Sequence, residues 1–324
     1  MASNGTGNVS SHGDDHSLPL TDSSRIKLDY YAPPQSLLSY VTTLYHFRCD
    51  DAEIRDMQPA AIGQLTLFPW GRGTMRFAEG IEDQSHELNL LTPTSQAASF
   101  TVDGPFHAIG LALLPLGWAA LTDLSACEYS NRLLPASDWL DGAEQIGAEL
   151  AEKYRKGEIS GEECGQELAA YAADRMSPPN RRHMELIDQV TKWLGTSLHP
   201  PVEQLYALTS YSRRQTQRLC ERYFGLCPQA LARKYRALRA AMLLNSPDLP
   251  EAAATHIADS FYDQSHMIRE IRHFTGRTPT RFAGSDTEIL REVLHRRNLR
   301  EVQVGLPDDL IAEGKASGDG QESR

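Results

Sequence analysis

An internal repeat limits the fold more than any other feature of the chain. The segment SRRQTQRLCERYFGLCPQAL (212–231) aligns with DQSHMIREIRHFTGRTPTRF (263–282) at a constant offset of 51 residues. Arg218 meets Arg269, Gly225 meets Gly276, Pro228 meets Pro279, Tyr223 meets Phe274 and Leu231 meets Phe282. Self-similarity at a fixed spacing means one supersecondary unit used twice. Ser212 with Gln215 three residues on is a capping box, Asp263 caps the second copy, and a glycine ends each. These signals predict helices from 212 to 224 and from 263 to 275. A shorter helix precedes each copy, at 201–208 and 251–260, with a turn of three or four residues between. The unit is a helix–turn–helix.

On a helical wheel, Thr216, Leu219, Cys220 and Tyr223 share one face of the first copy, and Met267, Ile271 and Phe274 one face of the second. These are core positions. The opposite faces carry Arg214, Gln217 and Arg218, then Ser265, Ile268, Arg269 and Arg272. Arg and Gln are the side chains that read guanine and adenine edges bidentately in the major groove. A single arginine-bearing helix would be no more than a solvated face. Two in register, each following a turn, point to a double-stranded DNA partner.

Charge supports the same reading. The net charge of the 324-residue chain is −11, but residues 1–180 carry −14, residues 181–300 carry +7 and residues 301–324 carry −4. A basic stretch of domain size beside an acidic one suggests a polyanion partner for the basic part.

The rest of the chain divides by composition. Residues 1–24 are poor in apolar groups and expected to be disordered. Between 26 and 114, short apolar or alternating runs (37–48, 63–68, 74–78, 87–91, 98–102 and 106–114) are punctuated by Pro, Gly, Asp and Asn, which predicts strands. That many short strands favour a small β-barrel. Helical patterns follow at 116–123, 139–156 and 164–176, making 25–176 a β-rich sensor or dimerisation domain with a helical extension. Ser177-Pro178-Pro179-Asn180 opens a linker, 177–182. Residues 183–283 form an all-α region, with Pro228–Leu244 as its longest helix. Residues 284–324 are expected to be helical and then disordered. The fold class is α+β. Five cysteines without a C-x-x-C pair argue against a disulfide scaffold or zinc cluster. No basic segment followed by an apolar run opens the chain, so a cytoplasmic location is expected, without membrane association.

The pattern D-Q-S-H…R…F-T-G-R-T-P…F over 263–282 resembles the C-terminal signature of the AraC/XylS family of transcription regulators, and the likeness covers about 183–283. It implies two helix–turn–helix units joined by a long helix, here Pro228–Leu244, roughly 26 Å long at 1.5 Å per residue. Their recognition helices would enter successive major grooves. Carried over by position, base contacts fall on Arg214, Gln217 and Arg218, and on Gln264, Ser265, His266 and Arg269; Arg272 and Arg277 would meet phosphate. The chain departs from the family pattern at Ser210, Cys220, His256, Ser260, Met267 and Ile271. The N-terminal half is similar, more loosely, to a sensor-like domain of the same family. The expected partners are therefore DNA, a small-molecule effector, a second copy of the chain and RNA polymerase. No cofactor and no catalysis are expected.

Other constellations compete. His46, His86 and His107 lie in the β region, and a cupin-like metal-dependent enzyme fused to a regulatory helix–turn–helix pair would use such residues. The paired H-x-H spacing of such sites is absent, which favours isolated core or edge histidines. Cys49 reads as a buried, inert thiol. Phe68, Trp70, Phe77 and Trp118 are candidates for lining a ligand pocket, with core packing the alternative.

Overall fold

The computed structural model describes residues 20–246 and 249–279. The expected disorder before residue 20, the tail from 284 and Phe282 lie outside these residues. Two strands organise the N-terminal half. β2 (Val41–Cys49) runs antiparallel to β7 (Ala98–Leu113), with Leu44 opposite Leu111 and His46 opposite Ile109. β4 (Gln64–Arg76) lies on the other edge of β7. β1 (Ile26–Tyr31) adds to β2, and β3 (Glu53–Gln58) pairs with the first part of β7. β5 (Glu82–Gln84) and β6 (Leu88–Leu91) both pair with β4, and β8 (Leu133–Pro135) pairs with β6. Among the described residues, the order β1-β2-β7-β4-β6-β8 has free ends, so this β-rich domain is an open antiparallel sheet and not a hydrogen-bonded barrel. The sequence reading split β4 and β7 into two strands each, at the Pro and Gly residues they contain. It missed β1, β3, β5 and β8, which are short or charged.

Side-chain alternation gives the sheet two different faces. Leu44 of β2 with Ile109, Leu111 and Leu113 of β7 face the helices α1 (Pro115–Thr122), α2 (Ala143–Arg155) and α3 (Gly161–Ala173). Leu150 and Leu168 close that core from the helix side. Each fully buried leucine contributes about 1.5–3 kcal/mol. Gly161 lets α3 approach the strands: a Cβ there would lie 2.0 Å from the His46 ring. Residues of the opposite phase, such as Tyr45, Phe47, Phe106 and Ala108, face away from these helices.

The C-terminal half is helical, as expected. α4 (Arg181–Leu194), α5 (Val202–Leu208) and α6 (Arg213–Phe224) pack around Leu186, Val190, Trp193, Leu205, Leu219 and Tyr223. α7 (Pro228–Leu244) leads to α8 (Glu251–Asp259) and α9 (Gln264–Thr275), which close on Leu238, Ile257, Phe261, Ile271 and Phe274. The two helix–turn–helix cores are built from the wheel positions named above, except that Met267 is only half-buried. No described helix is long and apolar enough to cross a membrane.

Candidate functional site

α6 and α9 begin and end alike. The Ser212 hydroxyl accepts the Gln215 amide, and the Gln215 side chain accepts the Ser212 amide at 3.1 Å. At α9, an Asp263 carboxylate oxygen accepts the His266 amide at 2.7 Å. Each cap satisfies amides that the first helical turn leaves open, a contribution of about 1 kcal/mol. Gly225 and Gly276 end the two helices at φ of 80° and 77°, a left-handed conformation that favours glycine. One buried stripe per helix therefore sets the opposite stripe toward solvent.

Arg214, Gln217 and Arg218 are exposed on α6, with the Gln217 amide donating to Glu221 at 3.2 Å. Gln264, Ser265, Arg269 and Arg272 are exposed on α9. His266 is half-buried, its Nε2 3.3 Å from a Glu270 carboxylate oxygen, so it leans into the unit. Arg277 departs from the sequence reading. It is 3% exposed and pairs with Asp56 of β3, so in this arrangement it is held inside the protein and cannot meet phosphate.

Sequence reasoning also missed a group of buried charges on α7. Lys234, Arg236 and Arg239 are all buried, and each points at a different body. The Lys234 ammonium donates to the Ala61 and Thr94 carbonyls of the sheet domain, at 2.9 and 2.7 Å. Arg236 forks onto Glu270 of α9 at 2.8 and 2.6 Å and donates to the Ser260 carbonyl in the α8–α9 turn. Arg239 donates to the Leu194 carbonyl at the end of α4 and to the Ser197 and Leu198 carbonyls that follow, and burial pushes its pKa down to about 10. The connector helix thus holds the sheet domain, the α4–α5 connection and the α8–α9 unit through one cation each. These three cations, with Arg277, were counted as polyanion-seeking charge from composition but face protein.

A cavity of about 190 Å3 lies on the sheet face opposite α2 and α3, closed on one side by Lys234, Tyr235 and Leu238 of α7. Its walls are mostly apolar, including Leu28, Phe47, Met57, Met75, Phe100 and Phe106. The Tyr45 hydroxyl, within 2.8 Å of Gln64 and 2.7 Å of Thr66, adds a polar patch. Of the four aromatic candidates only Phe68 lines it. Trp70 is exposed, Phe77 packs in a peripheral cluster with Met75 and Leu133, and Trp118 is buried in the helix-side core, where its indole N–H donates to the Leu124 carbonyl. Phe68 and Trp70 share β4, whereas Phe77 follows that strand and Trp118 lies on α1, so an aromatic residue type alone did not mark the cavity wall.

The three histidines separate. His86 is exposed. His46 and His107 are not isolated: His46 Nε2 and His107 Nδ1 lie 2.8 and 2.7 Å from one Tyr154 hydroxyl of α2. Among the described residues, no group of three or more His, Cys, Asp or Glu is placed to hold a metal ion. Burial, aided by the Arg48 and His107 charges, pushes the His46 pKa down to about 4, and burial lowers that of His107. Unfolded histidine titrates near 6.5, so the unfolded chain takes up protons first as pH falls. Stability is therefore expected to decline between about pH 6.5 and 4 in equilibrium urea unfolding. In His46→Gln that decline is expected to be shallower; equal slopes would mean that His46 is not held neutral.

Cys49 and Cys164 are buried, and burial raises both thiols, Cys164 to about 12, so neither is an activated nucleophile.

Residues 205–285 match the family described as "Helix-turn-helix domain", which spans α5 to α9. The C-terminal region is an AraC-type helix–turn–helix domain. Domains of this type bind DNA in transcription regulators. No curated protein sequence matches the chain. Among solved structures, ToxT from Vibrio cholerae O395 is 8% identical with a TM-score of 0.43, covering 82% of this chain and 99% of that one. ToxT bound to (E)-4-(8-methylnaphthalen-1-yl)but-3-enoic acid is 10% identical with a TM-score of 0.44, covering 81% and 100%. The AraC-like transcriptional activator CuxR is 12% identical with a TM-score of 0.29, covering 68% and 88%. The assignment rests on the sequence match and on the two capped units.

The sheet domain grips the AraC-type domain at the last turns of α6 and α9. The Ala126 amide donates to the Arg222 carbonyl of α6 at 2.7 Å, and Arg222 pairs with Asp123 at 2.7 Å. At α9, the Ala60 and Ala97 amides donate to the Phe274 and His273 carbonyls at 2.7 and 3.0 Å. Carbonyls that each helix leaves open are thus satisfied from the other half of the chain. Nothing in the repeat signals these contacts, since they join loops to helix ends far apart in sequence.

Proposed function

We propose that this chain is a sequence-specific transcription regulator whose α6 and α9 enter successive major grooves of one DNA duplex. The observation that carries this is the pair of equivalently capped helices, each exposing Arg and Gln on the face opposite its core. Arg214, Gln217, Arg218, Gln264, Ser265 and Arg269 supply base contacts, and Arg272 positions the protein on phosphate. Full-length protein mixed with random duplex DNA at physiological salt is expected to enrich a site of two motifs about one helical turn apart. Salt-sensitive binding without any enriched sequence would overturn the reading.

The sheet domain is the sensor in this proposal. Its cavity suits a small, mostly apolar effector with one polar group to meet the Tyr45–Gln64–Thr66 patch. A binder raises the melting temperature by mass action, so a thermal-shift screen of apolar small molecules finds it. Ala108→Leu, which fills the cavity, is expected to remove that shift while the protein stays folded. A shift that persists in Ala108→Leu would place the effector elsewhere. The same half is proposed to pair two chains, which sedimentation of the full chain decides, and contact with RNA polymerase belongs to the proposal as the route to activation.

A further inference from the structure

We propose that Asp56 stands in for a DNA phosphate: it holds Arg277 in a buried clamp that keeps this arginine, and the end of α9, from DNA. The inference rests on the DNA-binding reading above. The repeat shows why Arg277 needs an explanation. Its counterpart in the first unit is Leu226, which packs partly buried against that unit's core. The helix–turn–helix fold therefore does not require a cation at this position. In the second unit the arginine follows Gly276 directly, at the surface where α9 ends, and leaves the unit to reach β3.

The pair is almost wholly enclosed, with side-chain exposures of 2% for Arg277 and 1% for Asp56. One guanidinium nitrogen, Nη2, bonds Asp56 Oδ1, and that oxygen also accepts the Met57 backbone amide. Arg277 Nε and Nη1 are buried without a hydrogen-bond partner among the described residues. A guanidinium presents five donors in a fork that suits two oxygens of a phosphate, and the clamp engages it on one side only. Buried donors without acceptors make the closed state less favourable than its burial suggests, so the pair is poised to open.

The surrounding contacts make opening an event at the recognition helix. Met57 packs against Gly276, where an added Cβ would lie 2.8 Å from the Met57 side chain. The Ala60 amide bonds the Phe274 carbonyl. Residues 57–62 also form a wall of the cavity. One short stretch of backbone thus borders the cavity on one side and the end of α9 on the other. Displacing it would free α9 and release Arg277 together.

The test uses the full-length protein and the duplex selected above, with affinity measured across a salt series. Releasing Arg277 onto phosphate adds one ionic contact, which steepens the slope of log K against log salt by about 0.9 and raises affinity about fivefold near 0.15 M salt. Asp56→Asn is expected to show both changes, and Asp56→Asn combined with Arg277→Gln to show neither. Met57→Ala loosens the same joint without altering charge and is expected to shift affinity in the same direction by less; it carries the test should Asp56→Asn unfold in a melting control. Identical affinity and slope in the wild type and both Asp56→Asn and Met57→Ala would overturn the clamp, as would a gain that survives Arg277→Gln. Sequence selection without an effect of these variants defeats the clamp alone, whereas absence of any selected sequence defeats the DNA-binding reading beneath it.

Discussion

Glu270→Ala is expected to destabilise the protein by about 3–5 kcal/mol, measured as the change in urea unfolding free energy. Glu270 is 3% exposed on α9 and receives the fork of Arg236, itself 5% exposed on α7. Removing the carboxylate leaves a guanidinium in a site that keeps water out, with its remaining bond to the Ser260 carbonyl and the Phe261 ring 4.5 Å away. An uncompensated buried charge, not the lost attraction itself, sets the size of the effect. The sign reverses for the pair taken together. Arg236→Met with Glu270→Leu is expected to recover most of the loss, because no charge is then stranded. Since Arg236 ties the connector to α9 and to the turn before it, Glu270→Ala is also expected to weaken reading of the second half-site more than the first. A loss below about 1 kcal/mol would mean that the pair is solvated in the native state.

Arg218→Ala and Arg269→Ala are each expected to cost about 1–3 kcal/mol of binding on a selected DNA site. Both residues lie on exposed helix faces and occupy the same place in the repeat. A bidentate contact to guanine discriminates against other bases by that amount, so each variant is expected to relax base preference only within its own half-site. Repeating the selection with each variant measures this directly. A uniform loss on every sequence would instead make the residue a phosphate contact, and a decrease in the salt dependence by about one ion would accompany it. The two variants lie in separate units, so their costs are expected to add in the double variant.

The helical half was legible from the chain alone because its signals are local. A cap, a helical stripe and a terminal glycine act within a few residues of one another, and the repeat supplied each signal twice. Helices α6, α7 and α9 accordingly begin and end at or within one residue of the positions that Ser212, Gly225, Pro228, Asp263 and Gly276 indicate. Strand reading was less complete. β3 hides because its inward-facing Asp56 breaks the apolar alternation that would mark it, and the partner that explains Asp56 lies 221 residues away. The same distance problem hid the roles of the α7 cations. Arg236 finds Glu270 across 34 residues and Lys234 finds Thr94 across 140, and no spacing in the sequence encodes either pairing. Composition counted these charges as attraction for a polyanion, although burial had committed them to protein. The residues of the chain were enough to determine two helix–turn–helix units and the faces they expose. Which arginines stay exposed, which aromatics face the cavity and how the sheet grips the ends of α6 and α9 were decided only by folding, because burial and ion pairing depend on which distant surfaces meet.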